Sequence, residues 1–124
     1  MVNGNGKSLL IIAALVMYAG STGAQEYPTR PLRIIVPSTA GGSVDTLART
    51  IGTHLSQRWG QQVVVDNRPG AGGIIAGEIT AKAPPDGYTL IMATIAAMAT
   101  NVSLARKLPY DPVRDFAPVT LVAS

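Results

Sequence analysis

The chain contains no cysteine and a single histidine, His54, in 124 residues. Without cysteine there is no disulfide framework, thiolate zinc site, cysteine nucleophile or bacterial lipid attachment. One histidine leaves no histidine cluster to hold a metal. Charged residues make up only 14% of the chain, so few groups are available for acid–base chemistry. The basic side chains are scattered, from Arg30 and Arg33 through Arg49, Arg58, Arg68 and Lys82 to Arg106, Lys107 and Arg114. A nucleic-acid-binding domain gathers such residues into a patch or stripe, so no nucleic-acid partner is expected. A net charge of +3 suits a small anionic ligand, or carries no message.

What the chain does have is apolar residues, and one run gathers them near the start. Lys7 precedes the stretch Leu9 to Ala19, which is followed by the small residues Gly20, Ser21, Thr22, Gly23 and Ala24. A positive region, a short hydrophobic region and a small-residue cleavage site together read as a secretory signal peptide over residues 1–24. The run is shorter than the roughly 20 residues of a membrane span. Cleavage after Ala24 makes Gln25 the first mature residue, and the remainder, residues 25–124, is expected outside the cytoplasm.

Strand and helix signals alternate through that remainder. Arg33 to Val36 is a β-branched stretch closed by Pro37 and reads as a buried strand. Ser43 is placed to cap a helix with Val44, Leu47, Ala48, Ile51, Leu55 and Trp59 on one face. Asp45 falls in its first turn and Gly60 ends it. Val63 to Asp66 is a second strand, and a second helix is expected from about Ile74 to Ala83, stopped by Pro84 and Pro85. Tyr88 to Ala93 reads as a third strand and Val119 to Ala123 as a fourth. The implied fold class is α/β, a mostly parallel sheet flanked by helices.

Two glycine-rich turns, Ser38 to Ser43 and Gly70 to Gly73, each follow a strand and open a helix. Such turns lie at the carboxyl ends of strands, where open α/β sheets bind ligands. Glycine admits a ligand close to the backbone, and the free N–H groups of a helix's first turn are donors for an anion. Glycine also serves tight turns with no ligand at all; two such turns in successive units tilt the reading toward a ligand. Gly42 and Gly72 are the positions expected to require glycine. The dinucleotide fingerprint fails at Ile75, the phosphate-binding loop lacks its Gly-Lys-Ser/Thr ending, and the nucleophile elbow is broken at Asp45. No triad or metal site assembles, and the expectation is a non-enzyme without a cofactor.

Five stretches, YPTRPLRIIVP, GGSVDTLAR, VVVDNRPGAGG, APPDGYTLIMAT and KLPYDPVRDFAPVTLVA, occur in an order and spacing that resembles the Bug (TctC-like) receptors. These are periplasmic solute-binding proteins of tripartite tricarboxylate transporters. The resemblance implies a two-lobed periplasmic-binding-protein fold of type II, with residues 25–124 as the N-terminal part of lobe 1, truncated. It implies a small organic anion such as a carboxylate as ligand, and the membrane components of such a transporter as partners. Carried onto this chain, the ligand-binding residues become Ser38, Thr39, Ala40, Gly41, Gly42, Ser43 and Asp45, then Gly70, Ala71, Gly72 and Gly73, with Thr94 and Asn101 after the third strand. Asp45 either steers an amino or hydroxyl group of the ligand or serves the helix alone. Two departures stand out. Ser38, Thr39 and Ala40 replace a Phe-Pro-Pro, and Ala93, Ile95, Ala96, Ala97 and Met98 replace a more polar stretch. These point to a ligand less polar than a dicarboxylate, or to a remnant that no longer binds.

Overall fold

The computed structural model describes residues 26–105 and 107–123, so the expected signal peptide lies outside the described residues. Strand β1, Leu32–Val36, is followed by helix α1, Ser43–Trp59, and strand β2, Val63–Asn67. A 3-10 turn at Ala71–Gly73 leads into α2, Ile74–Ala81, and then β3, Thr89–Ile91. A π-type turn, Ala96–Thr100, runs directly into the short helix α3, Asn101–Leu104.

The three strands are parallel, in the order β2-β1-β3. β1 is central, with Leu32, Ile35 and Val36 fully buried, which is why its sequence is almost continuously apolar rather than alternating. One face of the sheet, built on Ile34 and Val36, packs on Ala48 and Val44 of α1, with Val63, Val65, Leu90 and Met92 around them. Gly52 of α1 is buried at this seam; a Cβ there would lie 3.3 Å from Val63 Cγ1, so glycine lets helix and strand approach closely.

The helix ends follow simple rules. Gly60 closes α1 in the left-handed conformation (φ 65°), its N–H bonded to the Ser56 carbonyl at 2.9 Å. The start differs from expectation. Gly42 occupies the capping position, Ser43 is the first helical residue, and no side chain caps the end from there. Ser43 sits one place too far along, because the extended backbone of the turn runs through Gly42 (φ −77°, ψ 170°).

Two further differences concern the end of the described chain. The small-residue stretch after β3 is helical, although it carries no helical periodicity from which to recognise it. The fourth strand is not formed: Val119 and Leu121 are 80% exposed and the run pairs with no strand among the described residues. A β-branched run becomes a strand only where another backbone edge takes up its N–H and C=O groups, and none does so here.

Candidate functional site

Three connections leave the carboxyl ends of the strands, after Val36, after Asn67 and after Ile91. α1 leads from β1 to one side of the sheet, and α2 returns the chain past β1 to its other side. Right-handed crossovers then put the two helices on opposite faces. The carboxyl ends of the strands, where these connections lie, are where open α/β sheets hold ligands.

The first turn is organised by Asp45, which is only 2% exposed. Its Oδ2 accepts the Gly41 N–H at 2.8 Å and Arg49 Nε at 3.0 Å, and its Oδ1 accepts Asn67 Nδ2 at 2.9 Å. Asn67 Nδ2 also donates to the Ser38 carbonyl at 3.1 Å, while Arg49 Nη2 donates to Asn67 Oδ1 at 3.1 Å. The Arg49 guanidinium, then the Gly41 N–H and the Asn67 amide, hold the Asp45 carboxyl down at about 2. Both oxygens are thus engaged within the chain, which favours the bracing reading of Asp45 over direct contact with a ligand. Gly41 is the strained position (φ 86°), not Gly42, where a Cβ would meet nothing nearer than the Thr39 carbonyl at 3.6 Å. Ser38 leaves its hydroxyl buried and without a hydrogen-bond partner. A buried orphan hydroxyl calls for a water or ligand atom to satisfy it. Thr39, Ala40 and Ser43 are exposed at the rim.

The second turn holds four successive residues at positive φ: Gly70 (128°), Ala71 (48°), Gly72 (62°) and Gly73 (92°). Ala71 is the one non-glycine residue in that region among the described residues. Such a conformation persists only where surrounding contacts impose it. Those contacts come from the third connection. Asn101 Nδ2 donates to the Gly72 carbonyl at 3.0 Å, and a Cβ at Gly73 would fall 2.9 Å from Ala97 Cβ and 3.3 Å from Pro37 Cβ. Thr94 starts the π-type turn: its hydroxyl accepts the Ala97 N–H at 3.3 Å and its carbonyl accepts the Met98 N–H at 3.0 Å.

The structure therefore joins Gly41 to Asp45 directly and Ser38 to Asp45 through Asn67, and Gly72 and Gly73 to Asn101 and its turn. Pro37 against Gly73 is where the first and second turns meet. Asn67, Arg49, Pro37 and Ala97 were not among the residues the sequence marked for the site. Asn67 carried one usable signal, its place as the last residue of a strand that feeds a glycine turn.

No side chain caps the first N–H groups of α1, which leaves them as donors at the carboxyl ends of the strands. Residues 47–124 match the tripartite tricarboxylate transporter family receptor, TctC. The chain belongs to this family. Protein BugT of Bordetella pertussis is 42% identical over 113 residues, which cover 90% of this chain and 35% of BugT. Among solved structures, MatC from Rhodopseudomonas palustris with bound malate is 40% identical with a TM-score of 0.70, covering 75% of this chain and 32% of MatC. R. palustris Rpa4515 with adipate is 46% identical with a TM-score of 0.68, covering 71% of this chain and 29% of that one. The chain thus spans about a third of the length of the relatives it matches. The family consists of receptors, and its solved members include a periplasmic binding protein.

Proposed function

We propose that the chain forms part of a periplasmic receptor that captures a small organic anion, a carboxylate, for a tripartite tricarboxylate-type transporter. The observation that carries this reading is the convergence of uncapped helix N–H groups and the Gly72–Asn101 turn at one end of a parallel sheet. Backbone donors at a helix start are suited to a carboxylate because they offer directed N–H groups at the positive end of the helix dipole. Malate and adipate, the acids bound in two relatives, are both dicarboxylates. The ligand-binding residues on this reading are those of the three turns, with the Ser38 hydroxyl as a further donor or acceptor. Asp45, Asn67 and Arg49 hold the first turn in shape. Ile95, 81% exposed directly after Thr94, offers an apolar surface for a hydrocarbon segment, which favours adipate over malate.

The test is an amide-resolved NMR titration of the chain with malate and with adipate. Binding at the turns shifts the amides of Gly41 to Val44 and of Gly72 and Gly73, more strongly for adipate. Equal, diffuse shifts across the surface, or none, would refute the reading.

Export is part of the same proposal, with residues 1–24 removed on crossing the inner membrane. Expression in a Gram-negative host is expected to give a periplasmic product whose N-terminal sequence begins near Gln25. An intact N-terminus on protein recovered from the cytoplasm would contradict it.

A further inference from the structure

We infer that Tyr110 is a positioning residue of the carboxylate site, holding the turn that carries Asn101 against Gly72. This inference rests on the carboxylate reading above for its functional consequence, but its geometry stands independently of any ligand.

Tyr110 lies in the Pro-rich segment after α3, far in sequence from the glycine turns, and only 6% of it is exposed. Its hydroxyl donates to the Ala97 carbonyl at 2.5 Å. Ala97 belongs to the π-type turn Ala96–Thr100, where a wider winding takes carbonyls out of the regular helical ladder. Tyr110 supplies a donor to one of them. The ring itself is held from two sides. It lies so close to α2 that a Cβ at Gly77 would fall 2.5 Å from its carbons, and Phe116 meets it edge-on at 5.6 Å. Burial pushes the Tyr110 hydroxyl up, so it stays protonated as the donor to Ala97.

The consequence runs through two short contacts. Ala97 is fully buried, and its Cβ occupies the space beside Gly73. Asn101, the first residue after the π-type turn, holds the Gly72 carbonyl at 3.0 Å. Fixing the Ala97 carbonyl therefore fixes both groups that shape the second glycine turn. Without the tyrosine hydroxyl the Ala97 carbonyl loses this donor and the π-type turn is free to tighten into a regular helical turn, which rotates Asn101 away from Gly72. A regular α-helical turn advances about 100° per residue, so the loss of one extra residue from the winding swings the following side chain by a comparable angle.

The deciding variant is Tyr110→Phe, which keeps the ring against Gly77 and Phe116 and removes only the hydroxyl. Phe116→Leu is the companion: it loosens the same packing but keeps the hydroxyl. Both are examined in the full chain by amide NMR, without ligand and in titrations with malate and adipate as probes. Tyr110→Phe is expected to move the Gly72 and Gly73 amides and the Asn101 side-chain NH2, and to weaken the apparent affinity for the probes about three- to tenfold, the range set by one hydrogen bond. Phe116→Leu is expected to lower stability while leaving those resonances and the affinity unchanged. Unmoved Gly72, Gly73 and Asn101 signals in Tyr110→Phe overturn the inference, as do equal effects of the two variants on probe affinity. If the unmodified chain shows no response to either probe, the carboxylate reading fails, and the ligand-free resonances still decide the role of Tyr110. Should Tyr110→Phe not fold, the unmodified chain decides it. A Tyr110 hydroxyl proton protected from exchange and close to Ala97 supports the inference, and one exchanging freely with water overturns it.

Discussion

Replacing Gly73 by valine is expected to disrupt the site and destabilise the fold by about 2–5 kcal/mol. Two effects add. At φ 92° an L-residue has its Cβ crowded by its own backbone, which costs about 1–2 kcal/mol. The new side chain would also drive into Ala97 and Pro37, whose Cβ atoms lie 2.9 and 3.3 Å from where its own would be, and overpacking of that kind costs about 1–3 kcal/mol. Against a total stability of about 5–15 kcal/mol for a domain, this is a large share. Gly42→Ala serves as the matched control, because φ is −77° there and the nearest atom to a Cβ is 3.6 Å away. Denaturant midpoints of the two variants and the parent chain, measured side by side, provide the check. A Gly73→Val midpoint within error of Gly42→Ala would mean that the three turns are not packed as described.

Removing the Asp45 carboxylate is expected to produce the second large effect. Asp45→Ala leaves the Gly41 N–H, the Arg49 guanidinium and the Asn67 amide without their common acceptor. The first turn then loses its tie to α1 at Gly41, and α1 loses the Asp45 bond to Asn67 of β2, while the Asn67 bond to the Ser38 carbonyl remains. The thermal midpoint should fall further than for Arg49→Ala, which removes one donor and leaves two. The same carboxylate gives a pH signature. With its pKa lowered to about 2 in the folded chain, the ionised form is favoured by folding. The stability it contributes is present above the unfolded value of about 4 and is lost as pH falls from there toward 2. Asp66 is also lowered, with burial pushing it up but Arg33 and Arg68 prevailing, and Asp111 is held down by the Val113 and Arg114 N–H groups. All three carboxylates contribute to acid unfolding, so the informative quantity is the difference between the parent and Asp45→Asn. That difference should shrink between pH 4 and pH 2. A difference that stays constant over this interval would remove Asp45 from its assigned role.

Much of this arrangement is legible in the sequence because it depends on neighbours along the chain. β1 follows from a β-branched run closed by Pro37, and α1 from apolar residues at three- and four-residue spacing ended by Gly60. The two glycine turns stand out by composition alone, and five ordered stretches carry the family. Residue type was a poorer guide within the turns. Gly41 and Gly42 are equivalent as letters, yet only Gly41 has the left-handed backbone. Ser43 has the chemistry of a cap, but the chain enters the helix at Gly42 and Asp45 braces the turn instead.

The sequence by itself determined the first three strands, the two helices between them and the positions of the glycine turns. These rest on backbone propensity, on hydrophobic period and on the freedom of glycine, all of which act over a few residues. Only the tertiary structure decided which residues hold the site together. Asn67 reaches Asp45 across 22 positions, Asn101 reaches Gly72 across 29, and Tyr110 meets Ala97 across 13. The same holds for the run Val119 to Ala123, apolar enough for a strand yet paired with no strand among the described residues, because a strand needs hydrogen bonds from a second backbone. Contacts between distant segments exist only once the strand order β2-β1-β3 has brought three turns to one end of the sheet, and no local pattern encodes that order.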